Sequence, residues 1–534
     1  MPKERIVQQP QTVQAQKQFS QLPSADVQRS TFDRSHGYKS TFDAGQIIPF
    51  LVDEILPGDT FSCNTTLFLR LATPIKPLFD NIQADIHYFF VPNRLTWDNW
   101  EKFMGERTNP DDDPSTLTIP VANVDLSTIR GNLPDYAGLP ATEVPTNVQI
   151  NVLPFRAMRL IFNDWYRDEN LQDSFVINTG DGPETITASP PNIRGKRKDY
   201  FTSALPWPQK GDPVFLPLGI EAPVVSDGDG FPSFVNDSGE NLGRLQQLQG
   251  AGNNAEFEVD TPSGGVAGWS NTKLVADLQT ATAATINDIR TSFQIQRMLE
   301  RDARGGTRYI ELIMSHFNVQ SADARLQRPE YLGGGTGVIN INPVAQTTPT
   351  DIVPDVSPQG NLAATGTGII RGGFTHSFTE HGYLIGFVSA RADLTYQNGI
   401  ERMWSRQTRY DFYWPTLAHL GEQEILNKEI YVSGDATDED TWGYQERFAE
   451  YRYKPGRITG KMRSNDPESL DIWHLAQDFN ALPPLNGSFI QENPPIDRIS
   501  AVPTEPDFLC DGWIKMSCTR PMPIYSVPGL VDHF

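Results

Sequence analysis

Between Ile82 and Val91 apolar side chains fall on alternate positions, Ile82, Ala84, Ile86, Tyr88 and Phe90, a spacing that turns them to one face of an extended strand. Ile47 to Leu56 reads as an earlier strand closed by a turn at Pro57-Gly58-Asp59. Leu67 to Leu71 and Tyr383 to Arg391 read as two more. His87 falls on the opposite face from Tyr88, where an exposed or hydrogen-bonded histidine is expected. The period changes to helical in two places. Residues 153 to 168, LPFRAMRLIFNDWYRD, form one. The other begins at Thr285, whose spacing to Asp288 is that of a capping box, and stops at Gly305-Gly306. In that helix Ile286, Ile289 and Phe293 share one face while Ile295, Met298 and Leu299 lie toward the other, so two neighbours are expected. Tyr309, Leu312, Ile313, His316 and Phe317 then follow the i, i+3, i+4, i+7, i+8 rule of a second helix, with His316 as half-buried packing.

Elsewhere the pattern is short and broken, and composition explains why. The 534 residues include 42 glycines and 42 prolines without a period, which interrupt long helices and exclude collagen, while 10% aromatic residues are ample for a core. The last third reads as strands and loops. Residues 1–30, rich in Gln with few large apolar side chains, are expected to be a partly disordered arm. From Lys210 to about Thr282 the chain becomes Gly-rich, with ten acidic residues against Lys210, Arg244 and Lys273, the mark of an inserted surface subdomain.

The formal net charge of -22 argues against a protein that wraps nucleic acid with its whole surface, because phosphate binding rests on Lys and Arg displacing counterions. A local basic face stays open. Three scattered cysteines, Cys63, Cys510 and Cys518, fit neither a disulfide framework nor a zinc knuckle, and a reducing compartment is expected. MPKERIVQQPQ lacks the apolar core of a signal peptide, and no apolar run nears the roughly 18 residues of a membrane span, so synthesis in a cytoplasm without membrane insertion is expected.

Catalytic and cofactor patterns are weak. There is no G-x-S-x-G, H-E-x-x-H, C-x-x-C or Walker pair. His376, Glu380 and His381 in THSFTEH are one residue too far apart for the inverted zincin spacing. Asp111-Asp112-Asp113 reads as a solvated loop, and Asp227-Gly228-Asp229-Gly230 lacks the closing Glu of a calcium loop. Gly333-Gly334-Gly335 and Gly366-Thr367-Gly368 read as turns or close backbone contacts. Two basic clusters stand out. YRYKPGRITGKMR, residues 451–463, carries Arg452, Lys454, Arg457, Lys461 and Arg463 with Tyr451 and Tyr453 interleaved and no acid, a mix that suits unpaired nucleic acid through phosphate contacts and base stacking. Arg194, Lys196, Arg197 and Lys198 form the second. Each can equally be a solvated strand face.

RDARGGTRY followed by RLQRPEYLGGG resembles the major capsid proteins of the gokushoviruses, small single-stranded DNA phages of the microvirus family. The resemblance extends through SHGYKSTFDAGQIIPFLVDEILPGDTF, TPIKPLFDN, YFFVPNRLTWDNWEKFMGE, FTSALPWPQKG and WGYQERFAEYRYKPGRITGKMR, in the family's order, over nearly the full chain apart from the arm and the insert. It implies an all-β core, an eight-stranded antiparallel jelly roll with large loop and helical insertions. On that reading residues 31–209 form the first part of the core, 210–282 the insert that projects at the capsid three-fold axes toward the host surface, and 283–534 the helical hairpin and the remaining core. It further implies a virion protein assembled in the host bacterium, needing no cofactor. Its partners would be other copies through pentamers, packaged single-stranded DNA, a small basic DNA-binding protein, a scaffolding protein, a minor pilot protein and a host receptor. The two basic clusters become candidates to face DNA. The competing reading is a β-rich carbohydrate-binding or glycoside-cleaving protein, which the ten tryptophans and abundant carboxylates permit.

Overall fold

The structure, a computed structural model, describes residues 28–106, 116–186, 189–214, 327–348 and 359–525, with short strands and two helices between 224 and 318. The acidic run at 111–113, Asp227 to Gly230, Thr285 and most of the arm lie outside the described residues. The chain divides into two compact units, one comprising residues up to Pro206 and from Ser321 onward, the other Trp207–Gln320.

The first unit is built on nine antiparallel strands, here β1 (Ser30–Asp33), β2 (His36–Phe42), β3 (Ile48–Ile55), β4 (Thr60–Leu71), β5 (Ile82–Pro92), β6 (Glu330–Ala345), β7 (Leu362–Ser377), β8 (Gly382–Ala392) and β9 (Phe508–Arg520). Their order is β1-β9-β4-β7-β6-β5-β8-β3, with β2 also on β9. The sheet curls on itself. β6 pairs with β7 through Asn340–Ala345 and with β5 through Glu330–Ile339, so one 16-residue strand carries the sheet around the bend. Phe61, Leu67, Leu69, Ile514 and Met516 from one half thereby meet Ile82, Ile86, Tyr88, Leu384 and Val388 from the other in a single core.

The triple glycine is not a turn. Gly333, Gly334 and Gly335 run inside β6, where a Cβ on Gly335 would lie 1.9 Å from the Arg371 carbonyl oxygen and one on Gly334 2.2 Å from that of Ile86. Close backbone approach, the other expectation, is what the glycines serve. The expected strands are present with shifted ends: β3 stops one residue short of the expected Ile47 to Leu56 at each end, whereas β4 begins seven residues before Leu67 and β8 runs one residue further at each end. β5 differs in a second way, since its other face is also covered. Phe89 and Val91 join Tyr383, Ile385 and Phe387 beneath a layer made of Trp97, the strands Val121–Asp125 and Asn147–Asn151, and α1 (Leu153–Ile161). His87 is in this layer, its Nδ1 2.8 Å from the Tyr166 hydroxyl, and burial lowers its pKa to about 4.

Among its described residues the second unit has three small antiparallel groups, one of them Ser233–Val235 between Asn241–Gly243 and Gly268–Asn271, and the helices α2 (Ile286–Arg304) and α3 (Tyr309–Phe317). Both helices fall here, although the sequence reading placed the insert's end near 282. His316 is half-buried with its Nε2 2.6 Å from Asp302. Phe293, Ile295 and Met298 of α2 are exposed in the single chain.

Candidate nucleic-acid interface

Residues 451–463 form no strand. The hairpin Glu422–Leu426 and Thr441–Glu446 leads into a left-handed Phe448 (φ 63°) and a 3-10 turn, Ala449–Tyr451, after which the chain runs as loop to a second such turn at Gly460–Met462. A core cluster that includes Tyr200, Phe201, Tyr396, Ile425, Trp442 and Phe489 adjoins this segment, with the Tyr200 ring centre 6.3 Å from that of Tyr453. The result is a cavity of about 490 Å³ whose wall includes Tyr451, Tyr453, Lys454, Arg457 and Arg463, five of the sequence candidates.

Each cation in the segment meets an acceptor on the same chain. Lys454 and Arg457 share the Glu401 carboxylate, Arg457 at 2.5 Å. Arg452 pairs with Glu446 and Lys461 with Glu468, and Arg463 donates to the Gln397 carbonyl at 3.0 Å. Hydrogen bonding from Arg457, helped by Lys454, holds the Glu401 carboxyl below its usual value. Deeper in, Arg402 pairs with Glu429 at 2.8 Å and Arg406 with Glu450 at 2.9 Å, the Arg406 guanidinium lying 4.4 Å from the Tyr451 ring centre. Burial pushes the Glu429 carboxyl up, against Arg402 and hydrogen bonds from the Leu426 amide and the Tyr200 hydroxyl.

The second cluster separates into inside and outside. Arg194 is buried, donating to Asp85 at 2.8 Å and to Ser389 at 2.7 Å, with Arg391 at 3.3 Å from the same carboxylate. Burial opposes ionisation of Asp85, yet the Thr336 hydrogen bond and the charges of Arg194 and Arg391 together hold its pKa low. Lys196 is buried too, 4.4 Å from the Phe489 ring centre and donating to Gln477 at 3.0 Å, and desolvation lowers its pKa to about 8. These two side chains are internal supports and offer no cation to a ligand, because both are buried and held by internal partners. Arg197, 3.5 Å from Asp393, and Lys198, paired with Asp168, remain at the surface.

Sequence reasoning missed Glu401, Arg402, Arg406 and Glu450 around the cavity. Glu401 lies 53 residues from Lys454 and 56 from Arg457, so no local pattern links them. His376, Glu380 and His381 do not converge: His376 is 3.6 Å from Glu330 and Glu380 pairs with Arg94. Among the described residues no group of three His, Cys, Asp or Glu is placed to hold a metal ion.

Residues 20–530 match the family model described as capsid protein (F protein). The chain is 48% identical to capsid protein VP1 of Bdellovibrio phage phiMH2K, covering 97% of this chain and 98% of that one. It is 44% identical to capsid protein VP1 of Chlamydia phage 1 (96% and 97% covered) and 36% identical to that of Spiroplasma virus 4 (96% and 97%).

Proposed function

The chain belongs to the capsid protein (F protein) family, the major capsid proteins of small single-stranded DNA phages such as the gokushoviruses, and from that membership we propose that its copies close through pentamers into a T=1 icosahedral shell around a circular genome. It is a structural component of the virion and not an enzyme, so the carbohydrate-cleaving reading falls away. The observation that carries the architecture is strand order. With β1 and β2 taken as one bent edge strand, the sheet reads as two series, 2-9-4-7 and 3-8-5-6, folded over one core. Such alternation between series is what an eight-stranded double-sheet jelly roll requires. Electron microscopy with light scattering on the purified protein tests assembly: uniform closed particles are expected, and a stable monomer in the presence of the phage's other proteins overturns the reading.

The partners follow from the same premise: packaged single-stranded DNA, a small basic DNA-binding protein, a scaffolding protein, a minor pilot protein and a host receptor. The insert of residues 210–282 serves as a three-fold protrusion that meets the host, a role tested by deleting residues 225 to 270 and measuring attachment of the particles that form. Tyr451, Arg452, Tyr453, Lys454, Arg457, Lys461, Arg463, Arg197 and Lys198 are the DNA-facing candidates. Two cations on one carboxylate at Glu401 leave a positive excess beside exposed Tyr451. Replacing Arg452, Lys454 and Arg457 with Ala reduces genome retention if they hold DNA, and unchanged DNA content overturns it.

A further inference from the structure

Within the first unit, the described residues put no covering layer on the outer face of the half-sheet β2-β9-β4-β7 beyond the segment Arg130 to Gly138 at one edge. Reading across its register, Trp513 stands beside Thr66 and Thr66 beside Arg371; the next row is Lys39, Asp511, Phe68 and Ile369; the next is Thr41, Leu509, Arg70 and Thr367. Trp513 is 56% exposed and Phe68 42%. Toward the other end the rows turn to Lys515 with Asn64 and to Ser517, Ser62 and Thr375. Side chains on one face recur about every 6.8 Å along a strand and about 4.8 Å across strands, so the aromatic rings and cations interleave on one platform.

Charge on this platform is one-sided. Asp511 is matched by Lys39 at 2.6 Å, whereas Arg70 and Arg371 have no ion-pair partner among the described residues. That contrasts with the 451–463 segment, where the cations are taken up by the chain's own acceptors. One edge of the platform deepens into an open groove of about 950 Å³, floored by Phe68, Arg70 and Leu509 and walled by Asp135, Tyr136 and Arg130, the last paired with Glu143. A sheet that exposes rings between cations and short hydroxyl and amide side chains has the chemistry used to stack unpaired bases while neutralising phosphates. A second copy of the chain is a poorer occupant. The apolar groups are separated by charges rather than gathered into a dry patch, and uncompensated guanidinium groups are costly to bury in a protein contact.

We infer that this bare sheet face, through Trp513, Phe68, Arg70 and Arg371, is a sequence-independent binding platform for single-stranded DNA. The inference rests on the capsid reading for its source of DNA, but binding by the unassembled full-length chain is measured separately from assembly. The test has two parts. DNA-filled particles are irradiated with ultraviolet light and the nucleotide-bearing peptides mapped. The full-length chain, wild type and R70Q/R371Q, is then titrated with a thymidine oligonucleotide at several salt concentrations.

Adducts on the peptides carrying Phe68 or Trp513 are expected, together with a salt slope shallower by about 1.4 in the double variant, because each lost phosphate contact on a single strand removes roughly 0.7. Trp513→Ala should weaken oligonucleotide binding about tenfold, with W513F retaining most of it. Adducts confined to 451–463, an unchanged slope, or a double variant that binds normally but no longer forms particles overturns the proposal, the last marking the face as a contact between subunits. Should R70Q/R371Q fold poorly, R70K/R371K keeps the charges and must restore the slope. Wild-type chain that binds through this face without ever closing into particles would remove the capsid reading and leave the platform standing.

Discussion

The two halves of the curled sheet share one core and differ in what lies behind them. In β5 and β8 alternate side chains go to opposite sides and nearly all are buried, because α1, Trp97 and the strands Val121–Asp125 and Asn147–Asn151 cover the outer face. In β4 and β9 every second residue is buried and its neighbours are exposed. The two patterns are visible in the letters: TFSCNTTLFLRL alternates, while GYLIGFVSARA is almost continuously apolar or small. A covered half can store charges as internal pairs, as Asp85 does with Arg194. A bare half must keep them in water or offer them to something else.

Two tryptophans give the largest contrast. Trp97 is fully buried in the covering layer with its indole N–H on Asp181 at 2.7 Å, and Trp97→Ala is expected to cost about 3–5 kcal/mol by opening a cavity. Trp513→Ala on the bare face should change stability by less than about 0.5 kcal/mol. Denaturant unfolding of the full-length variants measures both, and a Trp513 cost as large as that of Trp97 would mean that the bare face is closed by the protein itself.

The bend between the halves is the next target. A Cβ at Gly335 runs into the Arg371 carbonyl, and a backbone oxygen held in the β7 ladder has little room to retreat, so Gly335→Ala should destabilise by roughly 1–3 kcal/mol. The same unfolding measurement checks it, with Gly37→Ala in β2, where an added Cβ meets nothing closer than 3.8 Å, as the control without a clash.

Asp507 gives a smaller, pH-dependent effect at the start of β9. Burial pushes its carboxyl up to about 6, although the Ala44 amide donates to it at 2.9 Å. The folded state therefore holds this proton more tightly than the unfolded chain, whose carboxyl titrates near 3.9. The stabilisation is complete below about pH 4 and is lost as pH rises through about 6. Asp507→Asn should flatten stability across that window and leave the protein more stable at pH 7, which unfolding midpoints read at stepped pH will show. A variant that tracks wild type at every pH would exclude a buried carboxyl here.

Local periodicity made much of the frame legible. The alternation of β5, the helical run expected over 153 to 168 and found as Leu153–Ile161 continued by a π-helical turn at Phe162–Tyr166, the α2 and α3 spans and the family motifs all follow from residues close together in sequence, where side-chain period alone decides which face is apolar. The candidate site was legible only as a composition. Tyr451, Tyr453, Lys454, Arg457 and Arg463 do line one cavity, but the sequence does not say that Glu401 takes up two of their charges. Nor does it separate Arg194 and Lys196, held inside, from Arg197 and Lys198 beside them at the surface.

By itself, then, the sequence determined the family, the strand and helix periods and the acidic balance, because these are properties of neighbouring residues or of the whole composition. Tertiary structure alone decided that β5, despite its alternation, buries both faces, and which cations find a carboxylate. Those outcomes depend on residues far apart in the chain that are brought together only when β6 carries the sheet around its bend, and the cost of desolvating a charge is set by what arrives beside it.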